Sequence, residues 1–77
     1  DTYAWVLYKM GKVREAEKTM VSIFEAVEVN DADILEHYGF IETALGKCEE
    51  AVALWQSALR KDKERAYLIE EIRKCME

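Results

Sequence analysis

Residues 38–55 read YGFIETALGKCEEAVALW, and residues 3–20, 35 positions earlier, read YAWVLYKMGKVREAEKTM. Laid over one another, the two stretches pair Tyr3 with Tyr38, Gly11 with Gly46, Lys12 with Lys47, Glu15 with Glu50 and Ala16 with Ala51. Close substitutions fill the gaps: Ala4 with Gly39, Trp5 with Phe40, Val6 with Ile41, Met10 with Leu45 and Met20 with Trp55. Phe24 against Leu59 extends the match. Identities recurring in one order at one spacing are the mark of an internal repeat.

Each copy reads as two helices joined at a glycine. In the first, residues 2–10 form a short helix, Gly11-Lys12 the turn, and 13–27 a second helix. That second helix carries Val13, Ala16, Met20, Ile23, Phe24 and Val27 on one face. The break follows at Val29-Asn30-Asp31, where Asn30 or Asp31 can cap the next helix by accepting from its free amides. Residues 32–45 form that helix, with Ile34, Leu35, Tyr38, Ile41 and Leu45 largely inside. Gly46 ends it, because glycine takes a left-handed C-cap at no steric cost. Residues 48–59 follow, with Ala51, Val52, Leu54, Trp55, Ala58 and Leu59 apolar. After a polar step at 61–63, a last helix over 64–76 carries Ala66, Leu68, Ile69, Ile72, Cys75 and Met76. Small residues at Ala4, Gly39, Ala16 and Ala51 let paired helices approach, and Tyr3, Leu7, Tyr38, Met20 and Trp55 fill the remaining space.

Composition agrees. The 77 residues include no proline and three glycines, while 51% are hydrophobic. All-β folds need frequent Gly/Pro turns, and a phosphate loop needs a glycine cluster. With no proline, Asn30, Asp31 and Asp62 are left to start and end helices. Sixteen acidic against eleven basic residues leave a net charge of −5, which argues against a nucleic-acid or anionic-membrane surface. No run approaches the 18 apolar residues of a membrane span. Two cysteines are too few for a disulfide scaffold, so a cytoplasmic, reducing setting is expected.

On these residues the chain resembles the tetratricopeptide repeat (TPR) family, and within it the C-terminal repeats of bacterial members. Tyr38-Gly39 stands at the motif's Leu-Gly pair, Gly46 at the turn, Ala51 and Ala58 at small positions and Trp55 at the large one. Glu42 replaces an aromatic, and Lys63 stands where proline is common. Tyr3-Ala4, Leu7, Gly11, Ala16 and Met20 repeat the pattern, with Ile23 in place of an alanine. The resemblance implies an all-α fold of about five helices: antiparallel helix–turn–helix repeats in a short right-handed α-solenoid. Its parts are a front-truncated repeat over 1–30, a second over 31–63 and a capping helix over 64–77.

Chemistry-bearing constellations are sparse. His37 has Asp33, Glu36 and Ile41 within helical reach but no third ligand at metal-binding spacing. Glu49-Glu50 and Glu70-Glu71 diverge by about 100° on a helix and read as solvated faces. No catalytic residue, metal or cofactor is expected, and the chain is not read as an enzyme. Cys48 opens one helix and Cys75 closes the antiparallel one after it, so both fall at the same end. A bridge is conceivable there, but reduced cysteines serving as small hydrophobes are the expectation.

The resemblance further implies a concave groove lined by the first helix of each repeat. The matching positions are Asp1, Thr2, Trp5, Tyr8 and Lys9, then Asp33, Glu36, His37, Phe40, Thr43 and Ala44. Trp5, Tyr8 and Phe40 are the expected apolar anchors, with Glu36 and His37 setting polar specificity. Alternatively, the same aromatics seal contacts between neighbouring repeats. Residues 31–59 hold six acidic residues and one lysine, so a protein or peptide partner with an apolar or basic segment is preferred over an acidic tail. The competing reading is a structural or self-associating end of a longer array with no ligand site of its own.

Overall fold

A computed structural model describes residues 2–26, 28 and 31–77 of the chain. Expectations for Asp1, Val27, Val29 and Asn30, and for the Thr2 side chain, lie outside the described residues. Among those described, the fold is all-α, with five helices and no strand: α1 Thr2–Lys9, α2 Val13–Ala26, α3 Ala32–Ala44, α4 Cys48–Lys61 and α5 Tyr67–Met76. None is long and apolar enough to cross a membrane.

The turns after α1 and α3 are the same device. Gly11 (φ 85°) and Gly46 (φ 79°) are the positive-φ residues, in the region an L side chain avoids. Gly11 donates to Tyr8 O at 3.0 Å and Lys12 to Leu7 O at 2.8 Å. Gly46 donates to Thr43 O at 3.0 Å and Lys47 to Glu42 O at 2.9 Å. These paired bonds are a Schellman motif, which satisfies the carbonyls a helix end leaves free. Asp31 caps α3, its Oδ1 accepting from Asp33 N at 2.8 Å. Asp62 ends α4 in extended backbone and accepts from Glu64 N at 3.1 Å. The last helix begins at Tyr67 rather than at 64, because Asp62 and the backbone bond from Arg65 N to Asp62 O hold 62–65 in a turn.

Packing follows chain order, each helix lying on the next. One core joins Ala4, Leu7, Ala16, Met20 and Ile41; a second joins Leu35, Ala51, Trp55, Ala58 and Leu68. Phe24 borders both. The expected close approach occurs at Gly39: a β-carbon there would lie 2.8 Å from Trp55 Cε2 and nearer still to Nε1 and Cδ1. The Trp55 indole N–H then donates to the Glu36 carbonyl at 3.2 Å.

Several apolar residues do not enter a core. Tyr3, expected to fill space between helices, is 65% exposed, and Val6 and Met10 on the same side of α1 are exposed too. Their counterparts in the second copy, Tyr38, Ile41 and Leu45, pack against Met20 and its neighbours. In α5 only Leu68 is fully buried; Ile69 and Met76 are exposed, as is Ala66 just before the helix.

Candidate functional site

Helical spacing puts Trp5 and Tyr8 on one face of α1, and His37 and Phe40 on one face of α3. Contact between the two helices merges these pairs into one aromatic cluster. Trp5 stacks with Tyr8 at 4.8 Å and with His37 at 4.0 Å between ring centroids, the planes within 12° of parallel. Phe40 tilts against Trp5 at 6.3 Å and meets Trp55 edge-on at 5.2 Å. Lys9 Nζ lies over the Trp5 ring, 5.1 Å from its centre, in the geometry of a cation–π contact. The rings of Trp5, Tyr8, His37 and Phe40 are half-buried, while Trp55 is fully buried. Burial pushes the His37 pKa below its ordinary value, against the opposing pull of Glu36 and Asp33, so near neutral pH a neutral imidazole stacks on Trp5.

The other expected groove residues go elsewhere. Asp33 and Glu36 converge on Arg65, from the turn before α5. Arg65 Nη2 pairs with Asp33, Nη1 donates to Glu36 Oε1 at 2.8 Å, and Nε donates to Asp62 Oδ2 at 3.0 Å. The Tyr67 hydroxyl donates to the same Glu36 oxygen at 2.5 Å. These contacts raise the pKa of Arg65 and of Tyr67 alike. Thr43 donates to Gly39 O at 2.9 Å and lies 3.9 Å from Cys75 Sγ; Ala44 is exposed. The acidic charge expected along the groove is therefore partly matched within the chain.

Sequence reasoning missed two charged groupings. Arg65 follows 29 residues after Glu36, and no local pattern ties them. Glu42 was legible: it stands where the first copy has buried Leu7, and it is itself 3% exposed. Its neighbour is Glu17 of α2, which also accepts from Lys47 Nζ at 2.7 Å. Desolvation first, then the bond to Glu17, push the Glu42 pKa up to about 7. Glu17 moves down, held by Glu42 and Lys47. A protonated Glu42 donating to an ionised Glu17 satisfies that arrangement. Glu42 Oε1 remains buried without a hydrogen-bond partner.

The cysteines correct a further expectation. Cys48 and Cys75 form a disulfide, with Cα atoms 5.5 Å apart, rather than serving as two reduced hydrophobes. They do lie at the same end of the helix pair, and the antiparallel arrangement of α4 and α5 brings them within bonding reach.

No protein-family model, curated protein or solved structure matches the chain in comparison.

Proposed function

We propose that the chain is a non-catalytic protein–protein interaction module of the TPR kind, a short α-solenoid that holds a peptide or helix in a concave groove. The observation carrying this reading is the half-buried aromatic cluster of Trp5, Tyr8, His37 and Phe40, built from two first-of-pair helices. Rigid rings of this kind lose little entropy on docking and form favoured anchors. With Asp33 and Glu36 held by Arg65, recognition rests mainly on apolar contact, a basic flank being secondary. The groove's opening charge still favours an apolar or basic segment over an acidic one.

The test is amide chemical-shift mapping of the whole chain against apolar, basic and acidic peptides. Joint shifts at Trp5, Tyr8, His37 and Phe40 with an apolar or basic peptide support the groove, and Trp5→Ala abolishes them. Silence at these residues across all three peptides rejects it.

A second reading has its own observation: Tyr3, Val6 and Met10 present an uncovered apolar face on α1. That face suits a structural or self-associating role. Sedimentation over a concentration range separates the two, because Val6→Glu dissolves an assembly built on α1 and leaves groove binding intact. As to setting, the Cys48–Cys75 bridge forms most readily in an oxidising compartment, which favours such a location over the cytoplasm.

A further inference from the structure

Helix α5 is ten residues long, too short to hold its shape alone, and it owes its position to a fastening at each end. At its start, Arg65 and Tyr67 engage Asp33 and Glu36 of α3, and Leu68 is buried beside Leu35, Trp55 and Ala58. Its second half is held differently. Ile72 is half-buried and Met76 exposed. The ion pairs of Arg73 with Glu70 and Glu77, and of Lys74 with the half-buried Glu71, join residues of the same segment and fasten nothing to the rest of the fold. Beyond the partial packing of Ile72 on the second core, what ties this half down is the bond from Cys75 to Cys48 at the first residue of α4.

We propose that the Cys48–Cys75 disulfide is a reducible latch, which in its oxidised form holds the second half of α5 against α4 and in its reduced form releases it while the first half stays docked. The proposal stands apart from the groove reading above.

The surroundings of the bridge favour exchange. Both cysteines are half-exposed and line an open cleft of about 400 Å³ together with Glu49, Val52, Gln56 and Met76, so a small thiol has room to approach. The two sulfurs differ as leaving groups. Cys48 begins a 14-residue helix, whose free amides favour a thiolate there against the opposing charges of Glu49 and Glu50, while the Lys47 ammonium is engaged by Glu17. Cys75 lies in the last turn of α5, at the end that disfavours an anion.

An incoming thiolate therefore attacks Cys75 Sγ. The S–S bond breaks, its electron pair leaves on Cys48, and a mixed disulfide forms on Cys75. A second thiol then displaces Cys75, yielding two protein thiols and one oxidised low-molecular-weight disulfide, so two electrons pass from the thiols to the bridge. Release uncovers the cleft wall at Val52 and the neighbourhood of Thr43.

Hydrogen exchange with mass readout on the whole chain, air-oxidised against glutathione-reduced, tests the latch. Expected is a rise of about tenfold or more in exchange over residues 71–76 on reduction, with 32–44 unchanged. The Cys48→Ser/Cys75→Ser double variant reproduces the reduced pattern. Equal exchange over 71–76 in both states overturns the latch. So does loss of protection throughout the chain, which makes the bridge a staple of the whole fold. Two free thiols in the air-oxidised protein overturn it as well. Alkylation after a brief glutathione pulse checks the order of attack: glutathione on Cys75 supports it and glutathione on Cys48 reverses it.

Discussion

The α1–α2 and α3–α4 hairpins begin from nearly the same plan and end in different environments. Both turn at a glycine with the same pair of backbone bonds, and both bury an alanine, Ala16 or Ala51, early in the second helix. Yet the first uses Leu7 and Met20 where the second uses Glu42 and Trp55. The larger ring demands Gly39 in place of Ala4. The carboxyl requires a proton or a partner, and Glu17 and Lys47 stand beside it. The second hairpin is covered on both sides by α2 and α5, whereas α1 leaves Tyr3, Val6 and Met10 uncovered. One sequence pattern thus sets the local geometry, while position in the fold sets the energetic stake of each residue.

The sharpest test of that contrast is truncation of the two large core residues. Trp55→Ala is expected to cost about 3–5 kcal/mol, removing a fully buried ring and leaving the Glu36 carbonyl without its donor. Met20→Ala falls lower in the range of about 2–5 kcal/mol, since a flexible side chain leaves a site that relaxes more readily. Denaturant melts that rank Met20→Ala above Trp55→Ala break the comparison.

Next in size is the Leu7/Glu42 exchange, which makes stability depend on pH. The folded-state pKa of Glu42 is raised from 4.5 to about 7, so the folded chain binds the extra proton and stability falls as pH rises between those values. The loss reaches about 3 kcal/mol by pH 8. His37 acts the other way: with its pKa lowered, stability grows as pH rises towards 6.5. Glu17, with a lowered pKa, contributes stability that is fully present above 4.5 and is lost only as pH falls below it. Subtracting Glu42→Gln from the parent chain isolates the first effect. The variant should match the parent at pH 5 and exceed it at pH 8; equal curves would refute the shared proton.

Smaller still is the close approach. Gly39→Ala drives a methyl into the Trp55 indole and should lower stability by about 1–3 kcal/mol, despite a better helix former in α3. In the first hairpin, Ala4→Gly costs about 1 kcal/mol or a little more through helix propensity and the lost buried methyl. Thermal melts showing Gly39→Ala stabilised would mean that Trp55 shifts at little cost. Least of all, Gly11→Ala and Gly46→Ala should each cost about 1 kcal/mol for a left-handed residue. Near-equal values are expected because a β-carbon meets nothing within 4 Å at either site; a clear inequality would show that the two turns are not equivalent.

Much of this was legible from residue order. The 35-residue shift located both glycine turns, helical period the core faces of α2, α3 and α4, and capping chemistry the helix ends at Asp62 and at Asn30 or Asp31, of which Asp31 is seen to cap. The aromatic members of the candidate site, Trp5, Tyr8, His37 and Phe40, were legible for the same reason, each lying on one face of a first helix. Their mutual stacking was not, since periodicity says which face a ring occupies and not what meets it. Asp33 and Glu36 were expected to face a partner, and Arg65 takes them instead across 32 and 29 residues of chain.

The sequence by itself determined the helices, their turns and the two-copy plan, all set by interactions within about five residues or by the repeat of an apolar stripe. Only the tertiary structure decided which copies of an equivalent residue are buried, where the Glu42 proton resides and that Cys48 meets Cys75. Those outcomes depend on which helix comes to lie alongside, and on the water that it displaces.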